Sequence, residues 1–350
     1  MDDQNDDITA AGDLLQTIRQ QLGTLFIGQE ALVEQVLVAL VANGHVLVES
    51  VPGLGKTLLV KAVARLLGLE TNRIQFTPDL MPSDITGSHI FDLAERRFVF
   101  RHGPVFTQFL LADEFNRAPA KTHAALLEAM QEQQVTLDGQ AYPLGRAFLV
   151  MATQNPIENE GTYNLPEAQL DRFLFQVRLD YPAAAEEIDI LRLFLAGDSP
   201  DRRLADLQPV CDLDGLLRLQ ELAGRIDVHP SLLHYINQLV RATRSATELH
   251  LGASPRAGIA LLRAGRALAL LRGRAFVTPD DIVDIALPAM RHRVILSPEA
   301  EVQGRSADAI LLAVCEQVPV PRGIDGELAS EGSAPTGDTD HASSDEDGRA

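Results

Sequence analysis

The chain has 350 residues, of which 46% are apolar, so it is long enough for two domains with hydrophobic cores. Its formal net charge of −19 argues against binding nucleic acid, whose phosphates select basic proteins, and against docking on an anionic membrane surface. The acidic start is unlike a secretory signal, no apolar run reaches the ~20 residues of a membrane span, and Cys211 and Cys315 lie far apart, so we expect a cytoplasmic protein without membrane insertion.

Residues 1–12 are acidic and show no hydrophobic periodicity, which predicts disorder. Two helices are expected next, over Leu14–Leu25 and Ala31–Ala42, because their apolar residues recur at helical spacing. Gly28 separates them. This junction fits a wall of an adenine pocket and fits a plain turn between helices equally well.

The third predicted unit is a buried strand at Val46–Val48, a Gly-rich turn, and a helix that begins at Lys56. Successive backbone N–H groups in such a turn form a concave site for phosphate, and the helix N-terminus adds partial positive charge. Lys56 is expected to reach the β- and γ-phosphates, and the Thr57 hydroxyl to bind Mg²⁺. The common pattern begins with glycine where this chain has Ser50, which the turn tolerates if φ stays negative there. The predicted nucleotide-binding residues are Pro52, Gly53, Leu54, Gly55, Lys56, Thr57 and Leu58.

A strand over Arg73–Thr77 follows, and Pro78 ends it. The next segment predicts an inserted hairpin with strands at Ile85–Phe91 and Arg97–Phe100. Such a hairpin either lines a pore or contacts a partner, or is a surface decoration.

Two carboxylates, Asp113 and Glu114, end the apolar strand predicted over Val105–Ala112. In open α/β sheets this edge is where ligands bind, beside the phosphate loop. Asp113 is expected to hold Mg²⁺ through water, and Glu114 to accept a proton from the attacking water. A solvated pair of strand-end carboxylates is the alternative, and the phosphate loop upstream favours the catalytic interpretation.

The chain then predicts a helix over Lys121–Gln133, a hairpin over Val135–Leu144 around Asp138-Gly139, and a buried strand over Ala147–Thr153. Asn155 follows that strand. It fits a contact to the γ-phosphate or the lytic water, and it also fits a turn before a proline.

Arg172 precedes the last predicted strand, Phe173–Leu179. It is either a surface charge paired to Asp171 or an arginine finger for a neighbouring subunit's nucleotide. A group of the second kind is worth about 10³–10⁵ in rate.

A domain boundary is expected at Tyr181-Pro182, and residues 183–318 predict helices only. Ser254 and Thr278 are predicted helix caps. Arg256 falls in the first turn after Ser254, where its charge opposes the helix macrodipole, so it either faces an anion such as a γ-phosphate or is simply solvated. Residues 319–350 are acidic and rich in Gly and Ser, which predicts a disordered tail.

Taken together, five motifs make the chain resemble the MoxR family of AAA+ ATPases over about residues 13–318. These motifs lie at 51–57, 111–118, 126–132, 152–156 and 165–173.

The resemblance implies an α/β fold, a P-loop NTPase αβα core with a five-stranded parallel sheet at 13–182, followed by an all-helical lid at 183–318. The hairpins near 85–100 and 135–144 match the family's insertions. Lys56 and Thr57 then match the Walker A positions, and Asp113 and Glu114 the Walker B positions. Asn155 matches sensor 1, Arg172 the arginine finger, and Arg256 sensor 2.

By the same resemblance the chain is expected to hydrolyse ATP with Mg²⁺ as a ring of identical subunits, usually a hexamer. Members of the family act as chaperone-like remodellers that mature protein complexes, including cofactor or metal insertion, with von Willebrand factor A-domain partners. The alternative is a slowly hydrolysing switch or scaffold that binds a partner protein. A nucleic-acid motor of the same fold is disfavoured by the charge balance.

Overall fold

The structure, a computed structural model, describes residues 2–51, 53–94, 96–155, 163 and 165–321. Pro52 and almost the whole tail over 319–350 lie outside these residues, so the predictions made for them remain predictions.

The first half of the chain contains helices and all five strands of the central sheet. Its elements are α1 (Asp2–Gly23), α2 (Glu30–Val41), β1 (Val46–Ser50), α3 (Lys56–Leu66), β2 (Thr71–Gln75), α4 (Pro82–Thr86), β3 (Gly87–Asp92), β4 (Arg97–His102), β5 (Phe109–Asp113), a 3₁₀ turn at Phe115–Arg117, α5 (Ala120–Glu132), β6 (Gln134–Leu137), β7 (Gln140–Pro143), β8 (Leu149–Gln154), α6 (Glu167–Leu170) and β9 (Phe175–Leu179).

The second half is mostly helical. Its elements are α7 (Ala184–Leu195), α8 (Pro200–Asp206), α9 (Leu213–Arg225), α10 (Pro230–Ser245), β10 (Leu249–Leu251), α11 (Pro255–Leu271), α12 (Pro279–Met290), a 3₁₀ turn at Arg291–Arg293, β11 (Ile295–Leu296), α13 (Pro298–Val302) and α14 (Ala307–Gln317).

The central sheet has five strands in the order β2-β5-β8-β1-β9, and every neighbouring pair is parallel. A parallel sheet must be covered on both faces. One face packs with α1, α2, α3 and the lid helices in a single hydrophobic core, and the other packs with α5 and the aromatic rings Phe76, Phe115 and Phe148. The predicted αβα core with a five-stranded parallel sheet and a helical lid is confirmed.

The expectation of disorder over residues 1–12 is wrong, because α1 begins at Asp2. Ile8 and Ala11 are buried and continue the stripe of Leu15, Ile18 and Leu22 at helical spacing. The helix packs between core and lid, and Gln16 donates to the Leu271 carbonyl of α11 (2.8 Å). Asp6 and Asp7, acidic residues that hid this pattern, are exposed to solvent.

Both predicted hairpins form, although the first begins later than expected because Ile85 and Thr86 belong to the short helix α4. Strand β3 starts at Gly87, whose φ is +91° and whose missing Cβ would lie 2.2 Å from the Arg101 carbonyl oxygen. In the second hairpin, Asp138 and Gly139 have φ of +49° and +79°, as a tight two-residue turn requires. A bond of 3.0 Å between His89 and Asp138 joins the two hairpins.

The expectation that residues 183–318 hold helices only is wrong, since β10 and β11 form a small antiparallel pair. Two and three residues are too few to show a strand period. The predicted caps are confirmed, because Ser254 Oγ accepts from the Arg256 N–H (3.2 Å) and Thr278 forms a capping box with Asp281. No helix within the described ranges is both long and apolar enough to cross a membrane.

Candidate functional site

The loop between β1 and α3 has the backbone conformation that phosphate binding needs. Gly53 has φ of +88° and Gly55, which caps α3, has φ of +78°. L-residues rarely adopt these angles, so glycine is required at both positions. Lys56 and Thr57 therefore stand in the first turn of α3, where the amides and the helix dipole favour an anion.

Ser50, at the position where the common pattern has glycine, is the last residue of β1 and pairs in register with Leu179 of β9. Its side chain is buried, and its hydroxyl donates to the Val51 carbonyl (3.3 Å). The strand therefore turns into the loop without a left-handed residue at this position, as the prediction requires.

Asp113 ends β5 beside this loop, Glu114 follows it directly, and Thr153 holds both of them. The Thr153 hydroxyl donates to Asp113 Oδ1 (2.6 Å) and accepts from the Glu114 backbone N–H (2.9 Å). Glu114 has φ of +54°, so its backbone makes a left-handed turn at the strand end. Thr153 thus couples the two carboxylate residues through one hydroxyl.

Each carboxylate also pairs with an arginine. Arg73 Nη2 lies 2.7 Å from Asp113 Oδ2, and Arg117 Nε lies 3.1 Å from Glu114 Oε2. Arg73 comes from the neighbouring edge strand β2, and Arg117 from the turn after Glu114. Both carboxylates are consequently held in defined orientations.

These elements enclose a cavity of about 230 Å³ at the carboxyl edge of the sheet. Burial lowers the pKa of Lys56, and the charges of Asp113 and Glu114 oppose that shift. The lysine is therefore close to both carboxylates. The cavity is lined by Gly53, Leu54, Gly55, Lys56, Thr57, Asp113, Glu114, Thr153 and Asn155.

The lining brings together most of the site residues that the sequence predicts. Asn155 belongs to it, whereas Leu58 is not part of it and instead packs against the hydrophobic core. Thr153, Arg73 and Arg117 were not predicted. Thr153 reaches Asp113 because β5 and β8 are neighbouring strands, in which Ala112 lies opposite Ala152.

Arg172 and Arg256 line a different cavity, of about 380 Å³. Arg172 precedes β9, whose Phe175 pairs with Val46 at the start of β1, whereas the phosphate loop follows the end of β1. The five residues of β1 rise about 3.3 Å each, so roughly 17 Å separates the start of this strand, near Arg172, from its end, where the phosphate loop begins. The two arginines therefore lie together, away from the phosphate loop of their own chain.

Asp171 organises this second cavity. It accepts from Arg293 Nε (2.7 Å) and from the Ser254 hydroxyl (3.1 Å), and it lies 3.9 Å from Arg256. Arg172 Nε instead donates to Gln131 Oε1 (3.1 Å). The interpretation of Arg172 as a partner of Asp171 is therefore not supported, because Asp171 is occupied by arginine from the lid.

Two family models match the chain. Residues 45–175 match the "ATPase family associated with various cellular activities (AAA)", and residues 241–314 match the "AAA lid domain". The first covers four of the five strands of the sheet and both candidate carboxylates, and the second covers the part of the lid that includes Arg256.

Relatives match over most of their length. The protein named Chaperone MoxR1 of Mycobacterium tuberculosis is 44% identical over 307 residues, which is 85% of this chain and 80% of that protein. The uncharacterised protein YeaC of Bacillus subtilis is 44% identical over 302 residues, 86% of this chain and 93% of its own length. Protein MoxR of Paracoccus denitrificans is 32% identical over 322 residues, covering 86% and 94%.

A crystal structure of a proposed ATPase from Cytophaga hutchinsonii has the same fold. It superposes with a TM-score of 0.83 at 37% sequence identity, over 91% of this chain and 98% of that one.

Proposed function

Because the chain belongs to the MoxR family of AAA+ ATPases, chaperone-like enzymes that bind and hydrolyse ATP, we propose that it uses Mg²⁺-ATP to remodel or mature a protein complex as a ring of identical subunits. The observation that carries the proposal is the cavity in which the glycine turn, Lys56 and the pair Asp113-Glu114 meet. Maturation includes insertion of a cofactor or metal into the client. We also propose that the protein is cytoplasmic, because ATP is available in that compartment.

The proposed chemistry assigns one task to each side chain. The amides around Gly53 and Gly55 hold the phosphate chain, and Lys56 neutralises the β- and γ-phosphate charge. Glu114 accepts the proton of the attacking water, and Asn155 orients that water or the γ-phosphate. Leu58 and Pro52 are also proposed as nucleotide-binding residues, because they stand next to the other loop residues in the sequence.

The oxygen donors of the cavity fit Mg²⁺, since the Thr57 hydroxyl and the Asp113 carboxylate are hard ligands on the same lining. Bound there, the ion would neutralise charge shared by the β- and γ-phosphates. Thr153 keeps one Asp113 oxygen oriented through its 2.6 Å hydrogen bond.

Arg172 and Arg256 are proposed to act on the nucleotide of a neighbouring subunit, as arginine finger and sensor 2. They lie at the opposite edge of the sheet from their own phosphate loop, so they cannot both serve it without a large rearrangement. Contact between two different faces is heterologous, which closes into a ring when the rotation allows it. We propose six subunits, as the family resemblance implies.

The client side of the proposed ring is the pair of hairpins. The first hairpin exposes Phe91, Leu93 and Phe98, of which Leu93 is 84% exposed. Exposed apolar groups at a projecting tip favour contact with another polypeptide. We propose a von Willebrand factor A-domain protein as the partner that presents the client, and the client itself is unassigned.

The test uses three full-length variants and a calorimeter. Lys56→Ala is expected to lose ATP binding, whereas Glu114→Gln is expected to bind ATP and release no phosphate. Lys61→Ala is the matched control, because Lys61 lies on the same helix outside the cavity. Unchanged ATP affinity in Lys56→Ala would refute the loop assignment. Normal phosphate release by Glu114→Gln would remove that residue from the base role.

Action across the subunit seam is tested by mixing. Arg172→Ala rings and Glu114→Gln rings are each expected to be inactive, but mixed rings should recover activity, because some seams pair an intact base with an intact arginine. Mixed rings that stay inactive under conditions where subunits exchange would argue against the seam. A slowly hydrolysing switch would instead show tight nucleotide binding and negligible phosphate release in the wild type.

A further inference from the structure

Helix α7 presents an apolar stripe to the surface. Ile188, Leu191, Phe194 and Leu195 are 49%, 68%, 57% and 91% exposed, and the helix has no buried residue. Their spacing of three and four residues puts them on one side of the helix. We call these four residues the α7 stripe. A contiguous exposed apolar surface of this kind marks an interaction site.

Both ends of α7 are tied to the segment 24–29. At its start, the Glu186 carboxylate lies so close to Gly28 that a Cβ there would meet it at 2.2 Å. After its end, Asp198 pairs with Arg203 (2.8 Å), whose Nη1 donates to the Thr24 carbonyl. The stripe is thus held at a fixed place on the molecule.

Segment 24–29 in turn contacts the phosphate loop. Gln29 Nε2 donates to the Leu54 carbonyl (3.4 Å), and the Phe26 ring lies 3.5 Å from where a Cβ of Gly55 would be. Helix α7, which carries the stripe, is therefore connected to the phosphate loop through segment 24–29.

We propose that the α7 stripe is covered by a second copy of this chain, through the face that carries Arg172 and Arg256. This inference rests on the proposed seam: a neighbour that brings those arginines to the phosphate loop must approach the surface around it. The cavity lined by Arg172 and Arg256 also has an apolar residue in its lining, Ile259, which is 57% exposed. Copies with a net charge of −19 repel one another, so apolar contact and the local arginines must supply the attraction.

The experiment is sedimentation velocity on the full chain with Mg²⁺-ATP, in a Glu114→Gln background that is expected to retain nucleotide. Leu191→Glu and Phe194→Glu are the test variants. Val302→Glu is the control, because Val302 is 90% exposed and lies on α13. The test variants are expected to raise the protein concentration at half-assembly at least tenfold, since each buried apolar side chain and each unpaired charge is worth about that factor. The control should leave it unchanged.

Folding and nucleotide binding are checked on the same samples. An exposed position should tolerate glutamate, so the thermal midpoint by circular dichroism and the calorimetric ATP affinity are expected to match the parent. Amide exchange across 184–195 should slow on assembly in the parent, a second result that needs no substitution. Slower exchange with a raised half-assembly concentration supports the inference.

Three results would overturn the inference, and they separate it from the proposed function. If the parent assembles and both glutamate variants assemble equally well, the seam stands and the stripe is not part of it. If the variants assemble normally but lose a partner or client, the stripe belongs to that other protein. If the parent binds ATP but never assembles, both the seam and this inference fall.

Discussion

Thr153→Val tests the claim that one hydroxyl couples Asp113 to Glu114. Valine keeps the shape and β-branching of threonine but can neither donate nor accept. The substitution removes the 2.6 Å bond to the Asp113 carboxylate and the 2.9 Å bond from the Glu114 amide. Thr153 is 1% exposed, so solvent is poorly placed to replace either partner.

The expected loss of stability follows from these two bonds. A hydrogen bond to a charged group is worth about 1.5–3 kcal/mol, and a buried amide left without a partner costs about 1–3 kcal/mol. The apolar methyl of valine offsets roughly 1 kcal/mol of this sum. We therefore expect the free energy of unfolding to fall by about 3 kcal/mol, a large share of the 5–15 kcal/mol typical of a domain.

Urea denaturation measures that fall, and steady-state ATP hydrolysis measures the effect on the site. Because the left-handed turn at Glu114 loses its amide anchor, kcat is expected to drop at least tenfold. Thr153→Ser, which keeps the hydroxyl, should recover most of both quantities. A valine variant within about 0.5 kcal/mol of wild type and equally active would show that the hydroxyl does not couple the carboxylates.

Three further predictions concern different parts of the molecule. Burial lowers the pKa of His45 to about 4 from the usual 6.5, so only the unfolded chain takes up its proton between these values, and this group alone should lower the free energy of unfolding by about 3 kcal/mol as pH drops from 6.5 to 4. His45→Asn should make urea midpoints fall less steeply over that range, and the remaining slope is expected from His123 and His292, whose pKa values burial also lowers. Gly87→Ala should cost about 2 kcal/mol or more in urea denaturation, because its Cβ meets a backbone oxygen at 2.2 Å, whereas Gly139→Ala, with open space around it, should cost about half as much. Arg117→Ala should lower kcat about tenfold with little change in KM or stability, because the pair with Glu114 is partly exposed and acts by orienting the carboxylate, and Arg117→Lys should recover part of the rate in the same assay.

Each of these predictions has a result that would contradict it. A pH profile of stability that His45→Asn leaves unchanged would show that another group is responsible. Equal costs for the two glycine variants would mean that the base of the first hairpin can shift. Loss of KM rather than kcat in Arg117→Ala would assign that arginine to nucleotide binding.

The parts of the site that were predictable are local in sequence. The phosphate loop joins a strand directly to a helix, and Asp113-Glu114 stands at the end of another strand, so a short window contains each unit. Thr153 was missed because its contacts cross from β8 to β5, and that adjacency depends on the strand order. Arg73 was missed for the same reason, since it reaches Asp113 from β2.

The errors in the fold have equally simple causes. In α1 the buried apolar side chains among residues 5–12 are Ile8 and Ala11, which is too few to show a period among acidic neighbours. The meeting of Arg172 with Arg256 could not be read from the sequence either, because it depends on how α11 docks beside the start of β9. The local sequence pattern therefore predicts the nucleotide site, whereas the position of the two arginines depends on tertiary packing.

The buried Arg293 has a mechanical consequence. It belongs to the lid and donates to Asp171 and to the carbonyls of Phe173 and Leu174, so the segment that carries Arg172 is bonded directly to the lid. Any tilt of the lid must drag that segment with it or break several strong bonds at once. A tilt that keeps these bonds would therefore carry Arg172 along with the lid.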